Sequence, residues 1–162
     1  MRPELSSSAK RVQSFLLSKN SAFEVKELPD STRTAQEAAD SIGCKVSQIA
    51  KSIIFREKRT NQPILVIASG SNRIDTKKIE RSSGLQLGKA DGDFVKKKVG
   101  FAIGGVPPAG HNEPLKTLLD NDLKKYATIW AAAGTPFAVF QLTPSDLDRL
   151  TNGEWMNLSV EK

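Results

Sequence analysis

The sequence has few of the residue types on which several enzyme classes depend. Its 162 residues include one cysteine, Cys44, and one histidine, His111. A lone cysteine forms no internal disulfide, and one cysteine with one histidine cannot supply the clustered ligands of a zinc site. We therefore expect no metal and no other cofactor. A Ser-His-Asp or Cys-His site is excluded only weakly, because one well-placed histidine would suffice.

Long apolar runs are also missing. No stretch approaches the ~20 consecutive apolar residues of a membrane span, and no apolar segment with a cleavage site follows the N-terminus. We therefore expect a cytoplasmic protein with no membrane partner. The length and the 38% apolar content fit a single domain that spans residues 1–162.

The charge is unevenly distributed along the chain. Lysine and arginine number 24 against 18 acidic residues, and residues 31–98 alone hold 14 basic and 7 acidic side chains. An excess of positive charge in one segment favours a polyanionic partner. Only seven Phe, two Trp and one Tyr are present, which is few for a base-stacking surface. The composition therefore favours contacts with phosphates.

The order of helix and strand patterns predicts an α+β fold. Thr34 and Glu37 form a capping box before a short helix that Gly43 can end. The runs SIIF at 52–55 and PILVIAS at 63–69 predict a hairpin of buried strands. Because helices and strands do not alternate regularly, we expect one central mixed, mostly antiparallel sheet flanked by helices.

Further local patterns complete the predicted elements. Ser8 is a candidate N-cap for a first helix over 9–19, and a short strand is predicted over 101–103. Other strand-like runs are PLKTLLD, ATIWAAAG and PFAVFQL, and other helices are predicted over KKIERSS, DFVKKKV and the segment that begins at Thr143-Pro144.

The most unusual segment is GGVPPAGH at 104–111, with three glycines and two prolines in eight residues. Glycines permit close backbone approaches, and prolines stiffen a turn. The segment is either a tight connection between strands or a shaped binding loop. It matches no recognised nucleotide-binding motif.

Three single residues have both a structural and a functional interpretation. Lys51 lies among apolar neighbours, so it is either a lysine that reaches solvent along its stem or a charge aimed at a phosphate or carbonyl. His111 has no assignable Ser or Cys partner, which favours a structural role. Cys44 is interpreted as a packing residue.

A series of motifs resembles the YbaK/prolyl-tRNA synthetase-associated domain family. In order they are TAQEAA from Thr34, QIAKSIIF around Lys51, LVIASG, GGVPP, and WAAAG followed by FAVFQLTPSDL. The resemblance covers about residues 20–155. It implies a mixed sheet, partly closed into a barrel and flanked by helices, that hydrolyses mischarged aminoacyl-tRNA.

The resemblance also implies a substrate class. A chain of this kind looks like a free-standing editor that removes alanine, cysteine, serine or threonine, usually from proline tRNA. Aminoacyl-tRNA is then the partner, with prolyl-tRNA synthetase as a second one and no role for DNA.

Site residues follow from the resemblance position by position. Lys51 matches the pocket lysine that contacts the 3′-terminal adenosine, and Gly104 and Pro108 end the G-x-x-x-P loop, which includes Gly105. Matching lining positions are Thr34, Ala35, Ser69, Gly70 and Gly134. The candidate walls that select substrates by size are Val106, Ile53 and the alanines before Gly134.

A basic stretch over 73–98 is a candidate contact for the tRNA backbone. Its cations are Arg73, Lys77, Lys78, Lys96, Lys97 and Lys98. The alternative is a solvated basic face without a ligand.

Two other functions stay open at the level of the sequence. A non-catalytic module that binds tRNA or a synthetase predicts RNA binding without ester hydrolysis. A small-ligand hydrolase or sensor predicts activity that does not need tRNA.

Overall fold

A computed structural model describes residues 5–20 and 22–161. Five α-helices lie in these ranges: α1 Ser7–Lys19, α2 Ala35–Ile42, α3 Thr76–Ser83, α4 Gly92–Val99 and α5 Pro144–Thr151. Eight strands accompany them: β1 Val25–Glu27, β2 Ile49–Glu57, β3 Pro63–Ser69, β4 Leu87–Lys89, β5 Lys116–Asp120, β6 Ile129–Ala132, β7 Ala138–Leu142 and β8 Glu154–Met156. Short 3₁₀ turns cover Val46–Gln48 and Asn121–Lys125.

The predicted caps of α2 are confirmed, and the predicted cap of α1 is not. The Thr34 hydroxyl accepts from the Glu37 N–H, the Glu37 carboxylate accepts from the Thr34 N–H, and Gly43 ends α2 with φ of 87°. The prediction that Ser8 caps α1 is wrong, because α1 begins at Ser7 and Ser6 is its N-cap residue. Lys10 N–H reaches the Ser6 carbonyl, so the helix extends two residues further back.

All eight strands form one mixed sheet. The strand order is β1-β7-β6-β2-β3-β5-β8, and β4 pairs with β2 beside this path. The predicted hairpin of β2 and β3 is confirmed as an antiparallel pair, whereas β2–β6, β3–β5 and β5–β8 are parallel. The outer strands β1 and β8 do not pair within the described residues, so the sheet is not closed.

The strand predicted over residues 101–103 is wrong. This segment is a turn in which Gly105 N–H donates to the Ala102 carbonyl at 3.0 Å. Phe101 is fully buried, with the Arg11 guanidinium 4.2 Å from its ring centroid, while Ile103 is 52% exposed. Three residues of strand-like composition without a neighbouring strand to pair with adopt a turn.

The centre of the sheet is covered on both faces. In β3, Leu65 and Ile67 join the core beneath α1, α4 and α5, whereas Ile64, Val66 and Ala68 pack beneath α3. Side chains alternate across a strand, so a strand buried on both faces is apolar throughout. On the second face α2 packs over the start of β2 through a cluster of small residues and Ile49.

Within the described ranges, no helix has the length and apolar content that crossing a bilayer requires.

Candidate active site

A cleft opens where β2 and β6 separate. The two parallel strands pair only where Ile49 and Ala50 face Trp130 and Ala131. Beyond that point lies a small cleft. Its lining comes from residues 32–35 at the start of α2, residues 49–52 of β2, residues 130–132 of β6, and Gly104 and Val106, together with Ala38 and Val139.

Two cations line this cleft. Lys51 is half-buried and faces Ala68 across the hairpin, and Arg33 is exposed beside Gly104. A Cβ placed on Gly104 would lie 2.9 Å from Arg33 Cγ, so the arginine stem runs directly over this glycine. Among the described residues, neither Lys51 Nζ nor the Arg33 guanidinium has a hydrogen bond or an ion pair. Both charges are therefore available to an anionic ligand.

The glycine-rich loop forms one wall through a tightly packed backbone. Gly105 is buried, and a Cβ there would lie 2.7 Å from Thr135 Cα. Its carbonyl accepts from Gly134 N–H at 2.8 Å, and a Cβ on Gly134 would in turn lie 2.6 Å from the Ser8 carbonyl oxygen. These contacts fix the path of the chain just before Val106, which lines the cleft. Gly105 and Gly134 thus support the wall without lining it.

Pro108 does not reach the cleft. It lines a second cavity together with Phe15, Gly110, His111 and other residues. The G-x-x-x-P loop therefore has two sides: Gly104 and Val106 face the cleft, and the segment from Pro108 to His111 faces the second cavity.

Three further predicted lining residues, besides Gly134, lie outside the cleft. Ser69 donates its hydroxyl to the Ser47 carbonyl and its N–H to the buried carboxylate of Asp120. Gly70 packs so closely that a Cβ there would lie 2.8 Å from that of Ala35, which does line the cleft. Ile53 pairs with Val66 and is not part of the lining. Gly70 thus packs against the start of α2, and Ser69 ties the end of β3 to the turn before β2 and to Asp120.

Several lining residues were not predicted from the sequence. Ser52 is notable because its Oγ is buried and is the buried side-chain oxygen without a hydrogen-bond partner in the described part of the chain. The signal for Ser52 in the sequence was a polar residue at the start of the buried run SIIF. Trp130 of β6 opens the WAAAG motif but was not singled out as a lining residue, and Arg33, just before the N-cap Thr34, gave no local signal. The place of both depends on how distant segments pack.

Cys44 lies away from this lining and packs beside the cluster beneath α2. Burial raises the pKa of its thiol, so the residue is not activated as a thiolate. The structure thus agrees with a packing role.

The predicted basic contacts lie on α3 and α4 and beside them. Residues 96–98 form the exposed last turn of α4, and Lys98 borders a groove with Glu57 at the far end of β2 from Lys51. At ~3.3 Å per strand residue, six residues separate these ends by roughly 20 Å. Lys78 differs, since its Nζ bonds the Ser159 carbonyl and Glu161. Arg73 and Lys77 are exposed.

A family match identifies the class of protein to which this fold and its cleft belong. Residues 29–150 match the aminoacyl-tRNA editing domain. The chain belongs to this family, which confirms the resemblance carried by the sequence motifs.

Individual relatives extend the match over most of the chain. The protein YwhH of Bacillus subtilis (strain 168), which is uncharacterised, is 33% identical over 144 residues, or 89% of this chain and 91% of YwhH. The "Putative Cys-tRNA(Pro)/Cys-tRNA(Cys) deacylase EbsC" of Enterococcus faecalis (strain ATCC 700802 / V583) is 24% identical over 130 residues, or 80% of this chain and 79% of EbsC. A crystal structure of "a putative trans-editing enzyme for prolyl tRNA synthetase" is 45% identical with a TM-score of 0.91, covering 98% of this chain and all of that chain (100%).

Proposed function

We propose that the protein is a trans-editing aminoacyl-tRNA deacylase that hydrolyses the ester of proline tRNA carrying alanine, cysteine, serine or threonine. The observation that carries this proposal is the cleft between β2 and β6, where an unpaired Lys51 stands beside the rigid wall formed by Gly104 and Val106. The family and the relatives named for tRNA editing support the same reaction.

The reaction needs positioning more than a side-chain nucleophile. Water adds through its oxygen to the ester carbonyl, the bond from that carbon to the ribose oxygen breaks, and the water proton passes to the ribose oxygen. An aminoacyl ester is already activated, so holding it beside a water in a preorganised backbone environment supplies rate. Lys51 and Arg33 bind the terminal phosphate and ribose by charge, and the loop at Gly104 and Val106 places the ester.

Substrate size is set by small side chains. Ala35, Ala50, Ala131 and Ala132 line the cleft beside Val106. A hydrophobic pocket separates substrates by only ~1–3 kcal/mol per methylene, but it rejects larger side chains by steric exclusion. A narrow alanine-lined cleft therefore suits a small non-cognate amino acid.

The basic face on α4 gives a second point of contact with the tRNA. It lies roughly 20 Å along β2 from Lys51, so it contacts the backbone of the acceptor stem while the 3′ end enters the cleft. The cations that act in this way are residues 96–98. Arg73 and Lys77 lie beside and on α3, which covers the opposite face of the sheet, and Lys78 is already paired within the protein.

The test is deacylation of proline tRNA charged separately with alanine, cysteine, serine, threonine and proline. We expect release of one or two of the four non-cognate amino acids and none of proline. Equal hydrolysis of a short aminoacyl ester without tRNA would favour a small-ligand hydrolase. Binding of every tRNA without release of any amino acid would contradict the proposal and favour a non-catalytic tRNA-binding module.

A further inference from the structure

His111 lies directly behind the loop that forms one wall of the cleft. Its Nε2 is 2.6 Å from the Pro107 carbonyl oxygen, next to Val106. A carbonyl oxygen only accepts, so Nε2 carries the proton and donates it to this bond. Because Pro107 and Pro108 have no N–H groups, this segment offers the protein few other points of attachment.

The imidazole is itself held by neighbouring groups. Its ring meets that of Phe101 edge to face, with centroids 6.4 Å apart. The guanidinium of Arg11 from α1 covers Phe101 and donates to the Gly100 carbonyl and to Asn112 Oδ1. The Phe101 ring thus joins three segments: it contacts Arg11 of α1, lies in the turn before the loop, and packs against His111 after it.

We propose that His111 is a positioning residue that holds the Pro107 carbonyl and thereby fixes Gly104 and Val106 in the cleft wall. The inference rests on the proposed function for its effect on catalysis. His111 lies on the opposite side of the loop from the cleft and lines the second cavity, so it acts on the reaction without touching the substrate.

The charged groups near the ring make this contact depend on pH. Burial lowers the pKa of His111 first of all, the hydrogen bond to Pro107 raises it, and the positive charge of Arg11 lowers it. Glu113 borders the same cavity. At neutral pH the ring is uncharged. Because burial disfavours the charged ring more than the bond to Pro107 favours it, protonation in the acid range drives the ring towards solvent and so weakens its hold on the loop.

The test compares kcat and KM of the wild type, His111→Gln and His111→Phe on mischarged proline tRNA between about pH 5.5 and about pH 8. Glutamine retains an N–H donor without titrating, and phenylalanine retains the volume without the donor. We expect kcat of His111→Phe to fall roughly tenfold at neutral pH, with KM changed by less than about twofold. His111→Gln keeps most of kcat and loses the decline that the wild type shows in acid.

Several results would overturn the inference. They are an unchanged kcat in His111→Phe, an effect confined to KM, and an acid decline in His111→Gln identical to that of the wild type. If His111→Phe does not unfold cooperatively, the pH profile of His111→Gln decides alone.

A second readout does not require activity, so it separates this inference from the proposed function. Gly105 N–H donates to the Ala102 carbonyl within the loop, and Gly84 N–H donates to the Glu80 carbonyl at the distant end of α3. We expect hydrogen exchange of the Gly105 amide to accelerate roughly tenfold in His111→Phe, with Gly84 unchanged. Unchanged exchange at Gly105 would overturn the inference even if the wild type proved inactive.

Discussion

At the scale of single residues, Ser52 shows how a buried polar atom reports on function. Its Oγ has no partner among the described residues, although it lies in the lining of the cleft. A buried hydroxyl without a hydrogen bond costs about 1–3 kcal/mol in desolvation. The protein carries this cost at the place where the proposed substrate brings hydrogen-bonding groups.

Ser52→Ala should therefore change stability and activity in opposite directions. The free energy of unfolding should stay constant or rise by about 1 kcal/mol, because no hydrogen bond is lost. Deacylation measured as kcat/KM should fall about two- to tenfold, because a contact to the substrate is removed. Chemical denaturation and single-turnover assays check the two effects, and a parallel loss of both would contradict this role.

His111 predicts a second effect at the same scale, on stability. Its pKa in the folded protein lies below the ordinary value of 6.5, chiefly because of burial. The unfolded chain therefore takes up the proton first as the pH falls, and the free energy of unfolding decreases below about pH 6.5. His111→Gln should lack this part of the decrease. Urea denaturation of both proteins across this range checks it, and parallel pH curves would contradict it.

At the scale of elements, the cleft wall depends on close backbone contacts behind the G-x-x-x-P loop. Gly105 is pressed against Thr135 and is tied to Gly134 by a hydrogen bond. Backbone cannot move aside as a flexible side chain can, so a larger residue at Gly105 must displace the loop.

Gly105→Ala should destabilise the protein by about 1–3 kcal/mol and lower deacylation more than tRNA binding. Gly92→Ala is the matched control, because a Cβ at Gly92 in α4 has no heavy atom within 4 Å. Thermal unfolding, tRNA affinity and deacylation measured on both variants separate the outcomes. Equal stability of the two variants would contradict the packing described for Gly105.

The elements that sequence patterns predicted are those whose causes are local. The capping box at Thr34, the stop at Gly43 and the β2–β3 hairpin all depend on residues close together in the chain. The cleft depends instead on the parallel pairing of β2 with β6, whose residues Ile49 and Trp130 are far apart in sequence. For this reason the motifs identified Lys51 and Gly104, but they could not separate the cleft side of the loop from the side on which Pro108 lies.

At the scale of the whole molecule, the positive charges that we assign to tRNA binding lie in two separate places. Lys51 and Arg33 lie at the cleft, and residues 96–98 lie on α4 near the opposite end of β2. A tRNA that contacts both places presents its 3′ end to the first and its helical backbone to the second.

Reversal of all three lysines at 96–98 to glutamate should weaken tRNA binding and reduce its dependence on salt. Each phosphate contact that is lost reduces the slope of log K against log salt by about 0.9 on a duplex. Hydrolysis at saturating tRNA should stay within about twofold of wild type, because the cleft is untouched. Binding titrations at several salt concentrations check this. An unchanged affinity and slope would show that the face is only a solvated surface.

The central claim is that the cleft around Lys51 hydrolyses mischarged tRNA. The most direct measurement is single-turnover deacylation of alanine-charged and cysteine-charged proline tRNA by the wild type, Lys51→Ala and the control Lys89→Ala, whose exposed lysine lies in β4. We predict that Lys51→Ala loses the rate by roughly 100-fold or more, as expected for a charged contact to the reacting end, while Lys89→Ala matches the wild type. A rate for Lys51→Ala equal to that of Lys89→Ala would contradict the account.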